Sequence, residues 1–71
     1  LNEVIISRGE FLQTLGFGGY DALHLACAEA SGAKVLFTTD DKFLRRAQKN
    51  HEVIEVTVVN PLDWMQNDEA L

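Results

Sequence analysis

Two acidic residues occupy positions where carboxylates often perform chemistry in α/β proteins. Asp21 lies at the start of a segment whose apolar periodicity predicts a helix over 20–31, and Asp40 directly follows a predicted strand at 33–37. In open parallel sheets the functional crevice lies beyond the carboxyl ends of the strands, and a helix that follows a loop can begin at the same rim. Converging carboxylates repel each other unless a cation neutralises them. We therefore predict that Asp21 and Asp40 bind Mg²⁺ or Mn²⁺.

Each residue of this predicted site also has a structural alternative. Aspartate is common at helix starts, so Asp21 could cap the first turn of its helix and Asp40 could be the N-cap of a helix over 41–49. Asp41 adjoins Asp40 and either supports the metal site from its outer sphere or stabilises the helix dipole. The hydroxyl of Thr38 either orients the Asp40 carboxylate or simply ends the strand.

A basic stripe follows the predicted metal site. Four cationic residues recur at i, i+3, i+4 and i+7 on one side of the helix after Asp40: Lys42, Arg45, Arg46 and Lys49. Such a stripe can hold the phosphate backbone of RNA beside a metal site. The alternative is a solvated outer face, because apolar residues occupy the opposite side of the helix.

Other familiar catalytic chemistry has no support in the sequence. His24 lies one turn after Asp21, but a histidine on a mostly apolar helix is expected to be packed rather than catalytic. Cys27 falls within the apolar stripe of the same helix and is expected in the core. The sequence contains no CxxC, HExxH, GxSxG or Walker motif, so zinc hydrolase, serine hydrolase and P-loop chemistry are not indicated.

Composition limits the remaining possibilities. The chain has 71 residues, of which 46% are hydrophobic, so it is not disordered in composition and allows one small or partial domain over 1–71. Eleven acidic against six basic residues give a net charge of −5, which argues against binding nucleic acid through bulk charge. The single cysteine excludes an internal disulfide, and no membrane span or signal peptide is indicated. We expect a cytoplasmic protein.

The predicted elements follow the order α-α-β-α-β-α. Helices are predicted over 1–15 and 20–31, ending at Gly16 and Gly32, and strands over 33–37 and 53–59. The first strand is predicted to be buried on both faces. The helix 41–49 between two consecutive strands indicates a right-handed βαβ crossover and a short parallel sheet.

The last predicted helix starts with Asn60 as its N-cap and Pro61 at its first position. We expect this helix to dock on the domain through Leu62, Trp64 and Met65. Because two parallel strands are too few for an independent sheet, the chain is expected to be the second part of a larger α/β domain.

Three segments resemble the C-terminal half of a PIN domain: 19–26 (GYDALHLA), 36–44 (LFTTDDKFL) and 58–64 (VVNPLDW). The PIN domain is a three-layer α/β fold of metal-dependent ribonucleases, which include the toxins of many prokaryotic toxin–antitoxin pairs. The resemblance implies that Asp21 and Asp40 are catalytic metal ligands, with Asp41 in a supporting position. It also implies that Mg²⁺ or Mn²⁺ drives hydrolysis of RNA phosphodiesters, and that an antitoxin protein is a potential partner.

The resemblance also implies that the site is incomplete. The family's first acidic residue ends an N-terminal strand and another lies on a later helix, and neither has a counterpart here. We therefore expect two of about four acids and an inactive isolated chain, with a homo-oligomer or a missing N-terminal half completing the fold. The alternative is a non-catalytic PIN-like remnant that acts only through protein association.

Overall fold

The computed structural model describes residues 2–69, with side chains described as far as Gln66. Four helices and two short strands follow one another in the chain: α1 (Glu3–Thr14), α2 (Gly19–Ala30), β1 (Val35–Phe37), α3 (Asp41–Lys49), β2 (Thr57–Val59) and α4 (Pro61–Glu69). The mixed helix and strand content confirms the predicted α/β class. Within the described residues, no helix is long and apolar enough to cross a membrane.

Local signals account for where the helices begin and end. The side chain of Asn2 accepts a hydrogen bond from the Ile5 amide at 2.9 Å, and that of Asn60 accepts one from the Leu62 amide at 2.8 Å. Gly16 and Gly32 adopt positive φ angles of 104° and 80° just after α1 and α2. This left-handed conformation ends a helix and favours glycine over any residue with a Cβ.

The two strands pair in parallel, with Val35 opposite Thr57 and Phe37 opposite Val59. Helix α3 connects them, so the predicted βαβ unit and short parallel sheet are present. Both strands are shorter than predicted, and β1 is not buried on both faces. Val35 and Leu36 are half-buried and Phe37 is 49% exposed. A two-stranded sheet has too few neighbouring elements to cover both of its faces.

The core forms where α1, α2 and α3 meet the segment that leads into β2. Its buried members come from all of these elements and from the loop before α2: Leu12, Phe17, Ala22, Leu25, Ala26, Phe43, Ala47, Ile54 and Val56. On α2, Ala22, Leu25 and Ala26 are buried, whereas Leu23 and Cys27 are only half-buried. The expectation that Cys27 lies in the core was therefore wrong.

Helix α4 does not dock as predicted. Leu62 is 66% exposed and Met65 is 57% exposed, so neither anchors the helix on the core. Trp64 contacts the domain through an edge-to-face arrangement with Phe37, at a centroid distance of 5.8 Å. Phe37 is itself largely exposed, so the apolar side chains of α4 remain on the surface.

An ion pair joins the first two helices to the chain before β2. The Nε and Nη2 atoms of Arg8 donate to the two carboxylate oxygens of Glu29, at 2.8 and 3.0 Å. Arg8 also donates to the Val53 carbonyl, and Glu29 accepts from the Glu55 amide, both at 2.9 Å. No sequence pattern indicates this pair, because its two residues belong to different helices and match no motif.

Candidate functional site

Asp21 and Asp40 line the same cavity, although they come from different elements. The cavity has a volume of about 680 Å³ and lies between the loop that precedes α2 and the exposed side of α3. Asp21 contributes from the first turn of α2, and Asp40 from the residue that caps α3. Both carboxylates therefore belong to the lining of one cavity, and their shared binding of a metal stays a prediction.

Asp40 is the N-cap of α3. Its Oδ1 atom accepts hydrogen bonds from the amides of Lys42 at 2.9 Å and Phe43 at 3.2 Å. The alternative prediction for Asp40, that it caps the helix over 41–49, is therefore confirmed. Capping does not exclude ligand binding. Both capping hydrogen bonds are accepted by Oδ1, and a carboxylate has a second oxygen that can accept or coordinate.

Thr38 positions Asp40 in a different way from the one predicted. Its hydroxyl oxygen accepts a hydrogen bond from the Asp40 amide at 3.1 Å, so it holds the backbone of Asp40. Among the described residues this hydroxyl makes no hydrogen bond to the Asp40 carboxylate, which was one of the two alternatives for Thr38. The Thr38 amide also donates to the Val59 carbonyl at 2.9 Å, which continues the ladder beyond β1.

Asp21 is not a capping residue. The N-cap of α2 is Gly18, and no side chain makes a capping hydrogen bond there. The Asp21 carboxylate lies beside this glycine, with Oδ2 at 3.9 Å from the position that a Cβ would take on Gly18. Asp21 is half-buried and faces the cavity, so the helix dipole is the local interaction that stabilises its charge.

Asp41 is exposed and does not line the cavity. Among the described residues, no group of three or more histidine, cysteine, aspartate or glutamate side chains could hold a metal ion. The predicted set of Asp21, Asp40 and Asp41 is therefore not assembled as three ligands. Two carboxylates, those of Asp21 and Asp40, remain in the lining of the cavity.

All four members of the basic stripe line the cavity: Lys42, Arg45, Arg46 and Lys49. Facing two carboxylates, these cations leave the lining with a formal charge of +2, although the whole chain carries −5. An anion is therefore attracted to this cavity in spite of the acidic total. Lys42, Arg45 and Lys49 are exposed, which agrees equally with the alternative of a solvated outer face.

Arg46 packs more tightly than the rest of the stripe. It is half-buried, and its guanidinium lies against Gly16, where an added Cβ would meet the Arg46 Cζ atom at 2.8 Å. Gly16 is required for its positive φ, whereas the flexible end of the Arg46 side chain can move away from an added Cβ at little cost. The sequence analysis explained the conformation of this glycine but not the contact.

His24 differs from its prediction, because it is exposed on α2 rather than packed. Its ring forms an edge-to-face contact with Tyr20, with centroids 6.2 Å apart. Neither aromatic residue lines the cavity, although both flank Asp21 in the sequence.

Together the fold and the site define an α/β domain whose cavity combines two carboxylates with a surplus of cationic side chains. A family model for the PIN domain matches residues 2–49. This match covers more than half of the chain, which therefore belongs to the PIN domain family, a family of nucleases. Both carboxylates and all four cationic residues lie within the matched segment, whereas β2 and α4 lie beyond it. Comparisons with curated proteins and with solved structures find no match.

Proposed function

We propose that this chain is the C-terminal part of a PIN-type endoribonuclease of the toxin kind, which hydrolyses RNA phosphodiesters with Mg²⁺ or Mn²⁺. The observation that carries the proposal is the shared cavity, where Asp21 and Asp40 face four cationic side chains. Carboxylates are the usual ligands of these two metals, and lysine and arginine are the usual ligands of phosphate. A metal-dependent reaction on a phosphodiester uses both kinds of side chain, the carboxylates for the metal and the cationic side chains for the phosphate.

The two kinds of side chain have separate roles in this proposal. Lys42, Arg45, Arg46 and Lys49 hold phosphate groups of the RNA, with Arg46 the most restricted in its position. Asp21 and Asp40 hold the metal, which when bound supplies an activated water and offsets negative charge on the reacting phosphate. Thr38 acts through Asp40, because its hydroxyl fixes the backbone that carries the carboxylate.

The isolated chain is proposed to be inactive. Two carboxylates surrounded by cations bind a divalent metal weakly, since each absent carboxylate removes both a ligand and a negative charge. We propose that an N-terminal segment of the same domain, or a second copy of the chain, supplies the remaining acids. The proposed partners are therefore another protein segment, an antitoxin protein and an RNA substrate.

A metal titration in the presence of RNA tests this function. We expect calorimetry to show little heat when Mn²⁺ is added to the chain alone at micromolar concentration, and stronger binding once a short RNA occupies the cavity. Asp40→Asn should remove that gain while it preserves the helix cap, because asparagine is an equally good N-cap. Asp63→Asn, which removes an acid in α4 away from the cavity, is the matched control.

Two results would contradict the proposal in different ways. If Asp40→Asn and the unsubstituted chain responded identically to Mn²⁺ with RNA present, Asp40 would not be a metal ligand. Robust metal-dependent RNA cleavage by the 71-residue chain, abolished by Asp40→Asn, would show that two acids suffice and that the site is complete.

A second candidate function is a non-catalytic PIN-like remnant that acts through association with itself or with another protein. The exposed Leu62 and Met65 of α4 favour this candidate, because apolar side chains on a surface helix are typical of contact surfaces. Failure of the chain to bind RNA in the titration above would favour the remnant over the nuclease.

A further inference from the structure

An aromatic pair stands exposed beside the cavity. Tyr20 is 83% exposed, more than any other large apolar or aromatic side chain that the structure describes. It lies one helical turn before His24, whose ring it meets edge to face at 6.2 Å with an interplanar angle of 65°. This pair lies on the side of α2 away from Ala22 and Leu25, which are the residues that pack in the core.

The pair flanks the carboxylate that faces the cavity. His24 lies three residues after Asp21, so these two side chains are neighbours on the first turns of α2, and His24 in turn contacts Tyr20. Gly18, the N-cap of the same helix, lines the cavity together with Asp21. A ligand held by the cationic side chains of α3 can therefore extend over the start of α2 to the two rings.

From this arrangement we infer that Tyr20 and His24 form a stacking subsite for a nucleobase. The inference rests on the proposed function, because it assigns a place to the base of a nucleotide whose phosphates lie in the cavity. Aromatic faces stack on every type of base, so such a subsite contributes affinity without selecting a sequence. The edge-to-face contact with His24 limits the motion of the Tyr20 ring before a base arrives.

Charge complementarity identifies a nucleic acid as the occupant. The cavity beside the pair has four cationic residues against two acidic ones, which suits a ligand that carries both phosphates and flat aromatic groups. The molecule contains a second exposed edge-to-face pair, Phe37 with Trp64, which belongs to β1 and α4 rather than to the helix that carries Asp21. That second pair provides a control for the effect of an exposed aromatic side chain alone.

Fluorescence anisotropy with two labelled probes tests the inference. One probe is an unpaired pyrimidine oligoribonucleotide of about 10 nucleotides, and the other is an abasic oligomer with the same sugar–phosphate backbone. Titrations of the full chain are made in EDTA, so that binding is measured without metal or cleavage. We expect Tyr20→Ala to weaken binding of the base-containing probe roughly tenfold and to leave the abasic probe unaffected.

Further variants separate stacking from charge and from folding. Tyr20→Phe should restore binding of the base-containing probe because it keeps the ring, and Trp64→Ala should bind both probes as the unsubstituted chain does. Arg45→Ala should weaken binding of both probes equally, because it removes a phosphate contact. Circular dichroism of each variant checks that the helices are retained.

The outcomes distinguish the subsite from the function on which it rests. If the chain binds both probes equally and Tyr20→Ala changes neither affinity, the stacking subsite is wrong while phosphate binding in the cavity stands. If Tyr20→Ala weakens both probes alike, the ring does not act on bases and the inference is also wrong. If the unsubstituted chain binds neither probe, both the proposed function and the subsite are wrong.

Discussion

Helices α2 and α4 both carry apolar side chains, but among the described side chains only α2 contributes buried ones. Leu25 is completely buried between α1 and the rest of the core, whereas Leu62 on α4 is 66% exposed. The difference lies in the neighbours that each helix has. Helix α2 packs along α1, whereas α4 follows a two-stranded sheet that offers it little more than Phe37. Apolar residues in a helix therefore indicate that one side of the helix can be buried. Whether that side is buried depends on the elements that lie next to it.

The region around α1 and α2 also contains a largely buried ion pair between Arg8 and Glu29. Near α1 and α2, the carboxylate of Glu29 is held by Arg8 and by the Glu55 amide, and its side chain is only 5% exposed. Burial by itself would raise the pKa of the Glu29 carboxyl, but the hydrogen bonds from Arg8 and Glu55 and the charge of Arg8 together lower it below its ordinary value. The hydrogen bond to Glu29 correspondingly raises the pKa of Arg8.

Truncating one leucine in each region should give the largest contrast. We expect Leu25→Ala to lower the free energy of unfolding by about 2–5 kcal/mol, since it leaves a cavity in a fully packed site. Leu62→Ala should change it by less than about 0.5 kcal/mol, because the side chain is already solvated. Urea unfolding monitored by circular dichroism measures both values. Equal losses for the two variants would mean that α4 is packed in solution.

Removing the charge of Glu29 should have a smaller and pH-dependent effect. We expect Glu29→Gln to cost about 1.5–3 kcal/mol at neutral pH, because hydrogen bonds to a charged group are lost. Since the folded pKa lies below the unfolded one, the charged carboxyl contributes its stability above about pH 4.3, and this contribution is lost as the pH falls through the folded pKa.

The difference between the unsubstituted chain and Glu29→Gln should therefore be constant near neutral pH and shrink in acid. Glu10→Gln, which alters an exposed glutamate of α1, serves as the control and should show no such trend. Unfolding measured at a series of pH values gives the comparison. A difference that grew as the pH fell would mean that the sign of the Glu29 shift is opposite to the one described.

The smallest effect is expected where the packed helices meet the candidate site. Asp40→Ala should cost about 1 kcal/mol of stability because it removes the cap of α3, and Asp40→Asn should cost close to nothing. Thermal unfolding compares the two variants. If asparagine were as costly as alanine, the negative charge of Asp40 and not its capping would stabilise the helix.

Much of the local structure could be predicted from the sequence, because short-range interactions decide it. The stops at Gly16 and Gly32 and the caps at Asp40 and Asn60 involve residues only a few positions apart, so their signals are visible in the sequence. For the candidate site, a residue after a strand and a residue at a helix start were expected to lie near each other, and Asp40 and Asp21 do line one cavity. Their binding of a metal stays a prediction.

The tertiary structure alone decided which surfaces are buried and which charges meet. The buried side of α2 depends on where α1 packs, and α1 approaches closely enough for a Cβ on Gly9 to lie 3.7 Å from the Leu23 Cα atom. The Arg8–Glu29 pair joins residues 21 positions apart in sequence, and the contact of Arg46 with Gly16 joins α3 to the loop after α1. Such contacts depend on the relative placement of whole helices, and no local pattern in the chain encodes that placement.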